Sequence, residues 1–201
     1  MRRAAPSIRW AFLLAIVTPG VAEAHLGGGD AGLMDGLMHP VFGPDHLIAM
    51  VSVGVVSMQL GGANIWRLPV AFVSAMMVGA ALGLAQVLLP HPELGISVSV
   101  LVLGLGILLA NERLSPWPII GLVALFGACH GYAHGVEIPK SVSPGLYSLG
   151  FVIGTAALHI VGMVIGEVAT LQIWLRRGLR VAGGLVAVSG VLFVAQALPG
   201  L

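Results

Sequence analysis

The segment LYSLGFVIGTAALHIVGMVIGEVA, residues 146–169, decides the class of fold. It is apolar over more than the roughly 20 residues that a helix needs to cross a bilayer. Backbone N–H and C=O groups in hydrocarbon must find partners within the segment, so a helix is predicted. The segment also contains His159 and Glu167. Because ionisable groups at membrane depth are expensive and usually functional, it predicts a membrane helix with a task beyond packing.

Five other apolar segments extend this pattern to an all-α, polytopic membrane protein with a six-helix transmembrane bundle. The predicted spans are 40–58, 68–89, 94–110, 116–135, 146–169 and 181–198. The chain has 201 residues, of which 58% are hydrophobic and 8% charged, and its mean hydropathy is +1.02. A soluble domain of this size would lack polar surface with such a composition. The expected surroundings are therefore lipid, and a net charge of +1 gives no sign of a nucleic-acid partner.

The first 24 residues are predicted to be a cleaved signal peptide. Arg2, Arg3 and Arg9 precede a short apolar run, and Ala22-Glu23-Ala24 provides small residues around a cleavage site. An uncleaved first anchor is the alternative, but the apolar run is too short to span. The expected domains are the signal peptide at 1–24 and the six-helix transmembrane domain at 25–201.

Charges in the loops predict the orientation. If the mature N-terminus is outside, the outer loops contain only Lys140, whereas the inner loops contain five arginines: Arg67, Arg113, Arg176, Arg177 and Arg180. An excess of positive charge marks cytoplasmic loops. A signal peptide would place the new N-terminus on the same outer side, so two independent features agree.

The first constellation of metal-type ligands is His39-Pro-Val-Phe-Gly-Pro-Asp45-His46. On a straight helix the two histidines would lie roughly 10 Å apart along the axis, too far for one ion. Gly43-Pro44 predicts a broken helix, which is how transporters expose ligands at membrane depth. In the simpler interpretation, His39 lies among the lipid headgroups and Asp45 caps a helix.

The second constellation is Cys129-His130-Gly-Tyr-Ala-His134-Gly-Val-Glu137. His130 and His134 share one helix face at a spacing that suits a single ion, and Glu137 lies near it or just past the helix end. Imidazole and carboxylate together favour a divalent transition metal. The alternative is a hydrogen-bonded packing pair. Both constellations fall in the outer part of their spans, so we expect them to meet.

Two more histidines are candidate ligands. His159 lies near or beyond the middle of its span, and Met163 and Glu167 are expected on the same helix face. In this interpretation His159 passes a metal inward. The alternative is that His159 only packs in the core. His25 would be the first mature residue, and its α-amine and imidazole could chelate a metal. The methionines of the spans are expected to fill the core rather than to form a copper pathway.

With these motifs the chain resembles the HupE/UreJ family of nickel permeases. His39 to His46 matches a His-x5-Asp-His motif, and His130 to Glu137 matches His-Gly-Tyr-Ala-His-Gly-x-Glu. The chain departs from the family at Cys129, where Phe is usual; this thiol either adds a soft ligand or packs.

The resemblance implies uptake of Ni²⁺, with Co²⁺ as the alternative ion, across a bacterial inner membrane with a periplasmic N-terminus. The metal is expected as transported substrate rather than as a prosthetic group. The resemblance also implies a supply of metal to hydrogenase or urease and no enzymatic activity. The rival interpretations are an intramembrane metalloenzyme and a haem-binding subunit. The sequence leaves open whether the chain forms a homo-oligomer.

Overall fold

The computed structural model describes residues 31–109, 115–139 and 141–198, which are helical over most of their length. The helices are α1 (Ala31–Phe42), α2 (Pro44–Leu60), α3 (Asn64–Leu84), α4 (Pro92–Leu109), α5 (Pro116–Glu137), α6 (Pro144–Thr170) and α7 (Ile173–Ala197). Within these residues, α3 to α7 are each long and apolar enough to cross a membrane. The pair α1–α2 supplies a sixth span if it is counted as one broken helix. The predicted all-α membrane fold is confirmed.

The break between α1 and α2 lies at Gly43, as the sequence predicts. The two helices meet at 82°. Gly43 has an extended backbone (φ −84°, ψ 109°) and Pro44 is the first residue of α2. A proline disfavours the helical conformation of the residue before it, and its own fixed φ suits a first helical turn. One dipeptide thus ends α1 and starts α2.

Several predicted boundaries were wrong by part of a turn or more. The last helix begins at Ile173 rather than at 181, because a helix can continue past exposed arginines into the headgroup layer. The second span ends at Leu84 rather than at 89, and Gln86 beyond it has a left-handed backbone (φ 54°) that cannot continue the helix. The first span extends from 31 to 60 as a bent pair.

Rows of glycines spaced four residues apart let the helices approach closely. On α5, Gly127, Gly131 and Gly135 lie directly against the backbone of Phe72, Met76 and Ala80 of α3. A side chain at any of the three glycines would collide with a main-chain carbonyl. The glycine row therefore fixes the distance between α3 and α5 and, with it, the position of the histidines that it flanks.

Close contacts of glycines with backbone also join α6 to the broken span. Gly150 of α6 packs on the backbone of α1 at Leu33, and Gly162 packs on α2 at Val51. Gly54 of α2 in turn lies against the carbonyl of His159. Helix α6 therefore touches both halves of the break and holds them in place.

One end of the bundle is rich in tryptophan and arginine. Trp66, Trp117 and Trp174 are all exposed and lie at the starts of α3, α5 and α7. The guanidinium of Arg67 lies 5.5 Å from the ring centre of Trp117, so the starts of α3 and α5 are at one level. Tryptophans concentrate at the interface between membrane and water. The break between α1 and α2 lies at the opposite end, near the close of α5.

Candidate metal centre

The 82° bend brings the two histidines of the first motif together. His39 lies in the last turn of α1, and Asp45 and His46 in the first turn of α2. The ring centres of His39 and His46 are 6.5 Å apart, compared with roughly 10 Å along a straight helix. The break is therefore what allows both ends of this motif to reach one point.

Helix α5 supplies the other half of the site at the same depth. His134 lies between the two histidines of the first motif, with its ring centre 4.6 Å from that of His39 and 4.6 Å from that of His46. His130 lies 4.9 Å from His46. We call these four residues, His39, His46, His130 and His134, the histidine cluster. The sequence predicts that the two motifs meet, and they do.

Two members of the cluster are oriented by hydrogen bonds at Nδ1. The Nδ1 of His46 lies 2.8 Å from Oδ1 of Asp45, and the Nδ1 of His130 lies 2.9 Å from the carbonyl oxygen of Phe126. Both acceptors require the imidazole to donate its proton there, which leaves Nε2 with a free lone pair. Metal-binding histidines are oriented in this way by a carboxylate or carbonyl behind the ring.

The remaining ring nitrogens are what make the cluster chemically distinctive. Nε2 of His46, Nε2 of His130 and both nitrogens of His134 are buried and have no hydrogen-bond partner among the described residues. Buried polar atoms are nearly always paired, because an unpaired one loses its solvation without compensation. Each neutral imidazole has one lone-pair nitrogen, so these three rings offer three buried lone-pair donors, a set that fits a coordinated cation.

Two carboxylates lie beside this cluster. Glu137 is the last residue of α5, and its Oε2 lies 3.9 Å from Nδ1 of His134. Ligand atoms of His39, His134 and Glu137 lie within 4.8 Å of one another, and Glu137 is exposed while His134 is buried. Asp45 contacts His46 through one oxygen. Glu137 thus adds an exposed carboxylate to the buried imidazoles, and Asp45 orients the ring of His46.

Aromatic side chains enclose the histidines. Phe151 of α6 lies 4.2 Å from the ring of His134, and Tyr147 lies 5.9 Å from that of His39. Phe72 of α3 lies beneath His130 at 5.3 Å. All three are buried. Their apolar rings lower the local dielectric beside the cluster, which strengthens the electrostatic interactions within it.

His159 is placed apart from the cluster. It is buried, and neither ring nitrogen has a hydrogen-bond partner in the described chain. Its ring meets Phe72 at 5.2 Å, on which His130 also packs. Met163 is buried beside it as predicted, but Glu167 is exposed. Eight residues turn a helix by about 80° beyond two full turns, so the prediction of one shared face was wrong for Glu167.

Other predicted residues fall outside the cluster. Cys129 is half-buried and its sulfur packs on Gly95 of α4, so its side chain is directed at that helix. Of the two interpretations of this thiol, the contact favours packing. His25 and the signal peptide lie outside the described residues.

Sequence reasoning missed Glu93 and Phe72. Glu93, in the first turn of α4, interacts electrostatically with Asp45, His46 and Glu137. An acid at the outer end of an apolar segment was the available signal, since carboxylates at that depth are uncommon. Phe72 gave no signal, because one phenylalanine in a membrane helix looks like any other apolar residue.

The fold and site define a polytopic membrane protein with a buried, imidazole-rich centre near one face. The family model described as HupE / UreJ protein matches residues 13–193. The chain is 39% identical over 188 residues to "Protein HupE" of Rhizobium leguminosarum bv. viciae, covering 89% of this chain and 92% of that protein. No solved structure matches. The chain belongs to the HupE/UreJ family.

Proposed function

We propose that this protein is a secondary permease for divalent nickel in a bacterial inner membrane, with its mature N-terminus in the periplasm. The single observation that carries the proposal is the histidine cluster. Three helix segments bring four imidazoles together inside a membrane bundle, and buried nitrogens of three of them have no hydrogen-bond partner among the described residues. Imidazole with carboxylate suits borderline divalent metals such as nickel.

The arrangement suggests a sequence of steps. Exposed carboxylates, Glu137 and Glu93, attract the hydrated ion to the outer face. Imidazoles of the cluster then replace its water, and Asp45 keeps Nε2 of His46 directed toward the ion. An inside-negative membrane potential of 100 mV favours inward movement by about 2.3 kcal/mol for each charge.

His159 is the proposed relay toward the cytoplasm. Its unpaired nitrogens make it a further imidazole on the inner side of Phe72. The end of the bundle rich in arginine and tryptophan is then cytoplasmic, in agreement with the positive-inside rule. The family and the resemblance of the motifs support delivery to hydrogenase or urease maturation.

Uptake of radiolabelled nickel tests the proposal in a strain that lacks its own nickel importers. Cells expressing the chain should accumulate nickel, and excess cobalt or copper as competitor gives the selectivity. A matched control is His91→Asn, because His91 is an exposed histidine outside the cluster and asparagine tolerates its left-handed backbone (φ 51°). Accumulation equal to that of the empty strain would contradict the proposal.

A further inference from the structure

Two buried thioethers face a single hydroxyl group beneath the histidine cluster. The hydroxyl of Thr155 lies 3.4 Å from the sulfur of Met50 and 3.8 Å from that of Met76. Met50, Met76 and Thr155 are 0%, 2% and 0% exposed. The two sulfurs therefore lie no farther apart than the sum of those two distances.

The three residues come from three helices and lie one turn away from residues already described. Met50 follows His46 by four residues on α2, Met76 follows Phe72 by four on α3, and Thr155 precedes His159 by four on α6. Four residues advance a helix by about 6 Å. The thioether pair thus lies between the level of His46 and that of His159.

The Thr155 hydroxyl cannot donate a hydrogen bond to both sulfurs at once. Thr155 has one proton to donate, so at any moment one of the two thioethers has no donor from it. His159, on the same face of α6, has two buried ring nitrogens with no partner in the described chain. Soft sulfur donors and a free imidazole therefore occur together in a dry part of the bundle, and methionine side chains are flexible enough to close on an ion.

We propose that Met50 and Met76 form a binding site for a soft monovalent cation, Cu(I) or Ag(I), with His159 as an additional ligand. Thioethers select Cu(I), whereas imidazole suits Ni(II) and other borderline ions. The chain would then hold two sites of different chemistry in series. If the proposed nickel transport is correct, a soft ion bound at the inner site blocks the passage of nickel from the outer one.

Cu(I) binding to the purified full-length protein in detergent tests this site. Affinity is measured anaerobically, with a reductant, by competition against a chromophoric Cu(I) chelator. Met50→Leu/Met76→Leu should weaken Cu(I) affinity at least tenfold and leave Ni(II) affinity unchanged. Leucine nearly conserves the volume of methionine, so packing is preserved. Met77→Leu, at an exposed methionine one position along, should bind Cu(I) like the wild type.

Two further variants separate this site from other sulfur and nitrogen ligands. His130→Ala should weaken nickel affinity and keep Cu(I) affinity, and Cys129→Ala should keep both. Wild-type Cu(I) affinity in the double leucine variant, or its loss in His130→Ala or Cys129→Ala instead, would overturn the proposal. If the double variant does not fold, each single leucine variant must itself weaken Cu(I) binding.

The blocking effect has its own measurement in cells. Micromolar Ag(I) should inhibit nickel uptake by the wild type and have much less effect on the double leucine variant. This measurement and the Ni(II) affinities above rest on the proposed function, whereas the Cu(I) affinities do not. If the chain carries no nickel, the Cu(I) affinities still decide whether the thioether site exists.

Discussion

The histidines of the cluster and His159 are the same kind of side chain in two different surroundings. In the cluster, His46 and His130 are oriented by hydrogen bonds at Nδ1, and carboxylates lie nearby. His159 has no such partner in the described chain and packs on Phe72. A site that must capture an ion gains from fixed ligands and negative charge, because both raise affinity. A site that must pass an ion on gains from weaker binding.

The largest effect is expected from removing one member of the cluster. His46→Ala or His130→Ala should abolish nickel uptake, because each removes a cluster imidazole whose buried Nε2 has no hydrogen-bond partner among the described residues. Uptake is compared with that of His91→Asn at equal protein levels in the membrane. Transport at the wild-type rate by both alanine variants would contradict the distinction between the histidine cluster and His159.

A smaller loss is expected from the carboxylate behind His46. Asp45→Ala should weaken nickel affinity by about 10- to 100-fold, the usual effect of removing the group that orients a metal-binding histidine. Asp45→Asn keeps an acceptor for Nδ1 and should lose less. Titration of purified protein with Ni(II) measures both variants. Equal affinities of the alanine and asparagine variants would show that the charge of Asp45, not its hydrogen bond, matters.

Some features of the histidine cluster can be predicted from the sequence, and others cannot. The break at Gly43-Pro44 and the shared face of His130 and His134 follow from local rules, because a proline and a four-residue spacing act within one helix. The contact between His39 and His134 does not. It depends on the angle of the break and on how closely glycines let α5 approach α3, which are properties of the packed bundle.

The inner region was harder still to predict. His159 could be placed by depth, but only the structure reveals that Phe72 lies between it and His130. Met50 and Met76 were expected to fill the core, and their shared contact with Thr155 joins three helices that are distant in sequence. Glu167 was misplaced because a helix has 3.6 rather than 4 residues per turn.

His159→Ala should separate binding from transport. Because the residue lies outside the cluster, nickel affinity should stay unchanged while uptake falls about tenfold, equivalent to roughly 1.4 kcal/mol in the barrier. Ile160→Ala, the exposed neighbour on α6, is the control. A parallel loss of affinity and uptake would place His159 in the outer site.

The smallest effect is expected from the break itself. Pro44→Ala should weaken nickel affinity a few-fold, because residue 43 would regain access to the helical conformation and draw His39 away from His46. Pro116→Ala is a matched control, since Pro116 also begins a helix after an extended residue. An affinity unchanged by Pro44→Ala would indicate that packing on α6 holds the bend without the proline.

X-ray absorption at the nickel K-edge tests the central claim most directly. Purified protein is loaded with one equivalent of Ni(II), and the imidazole ligands are counted from the multiple scattering of their rings. The histidine cluster predicts at least three imidazoles in the wild type and one fewer in His130→Ala. A spectrum of oxygen ligands alone, or the same imidazole count in both proteins, would contradict the account.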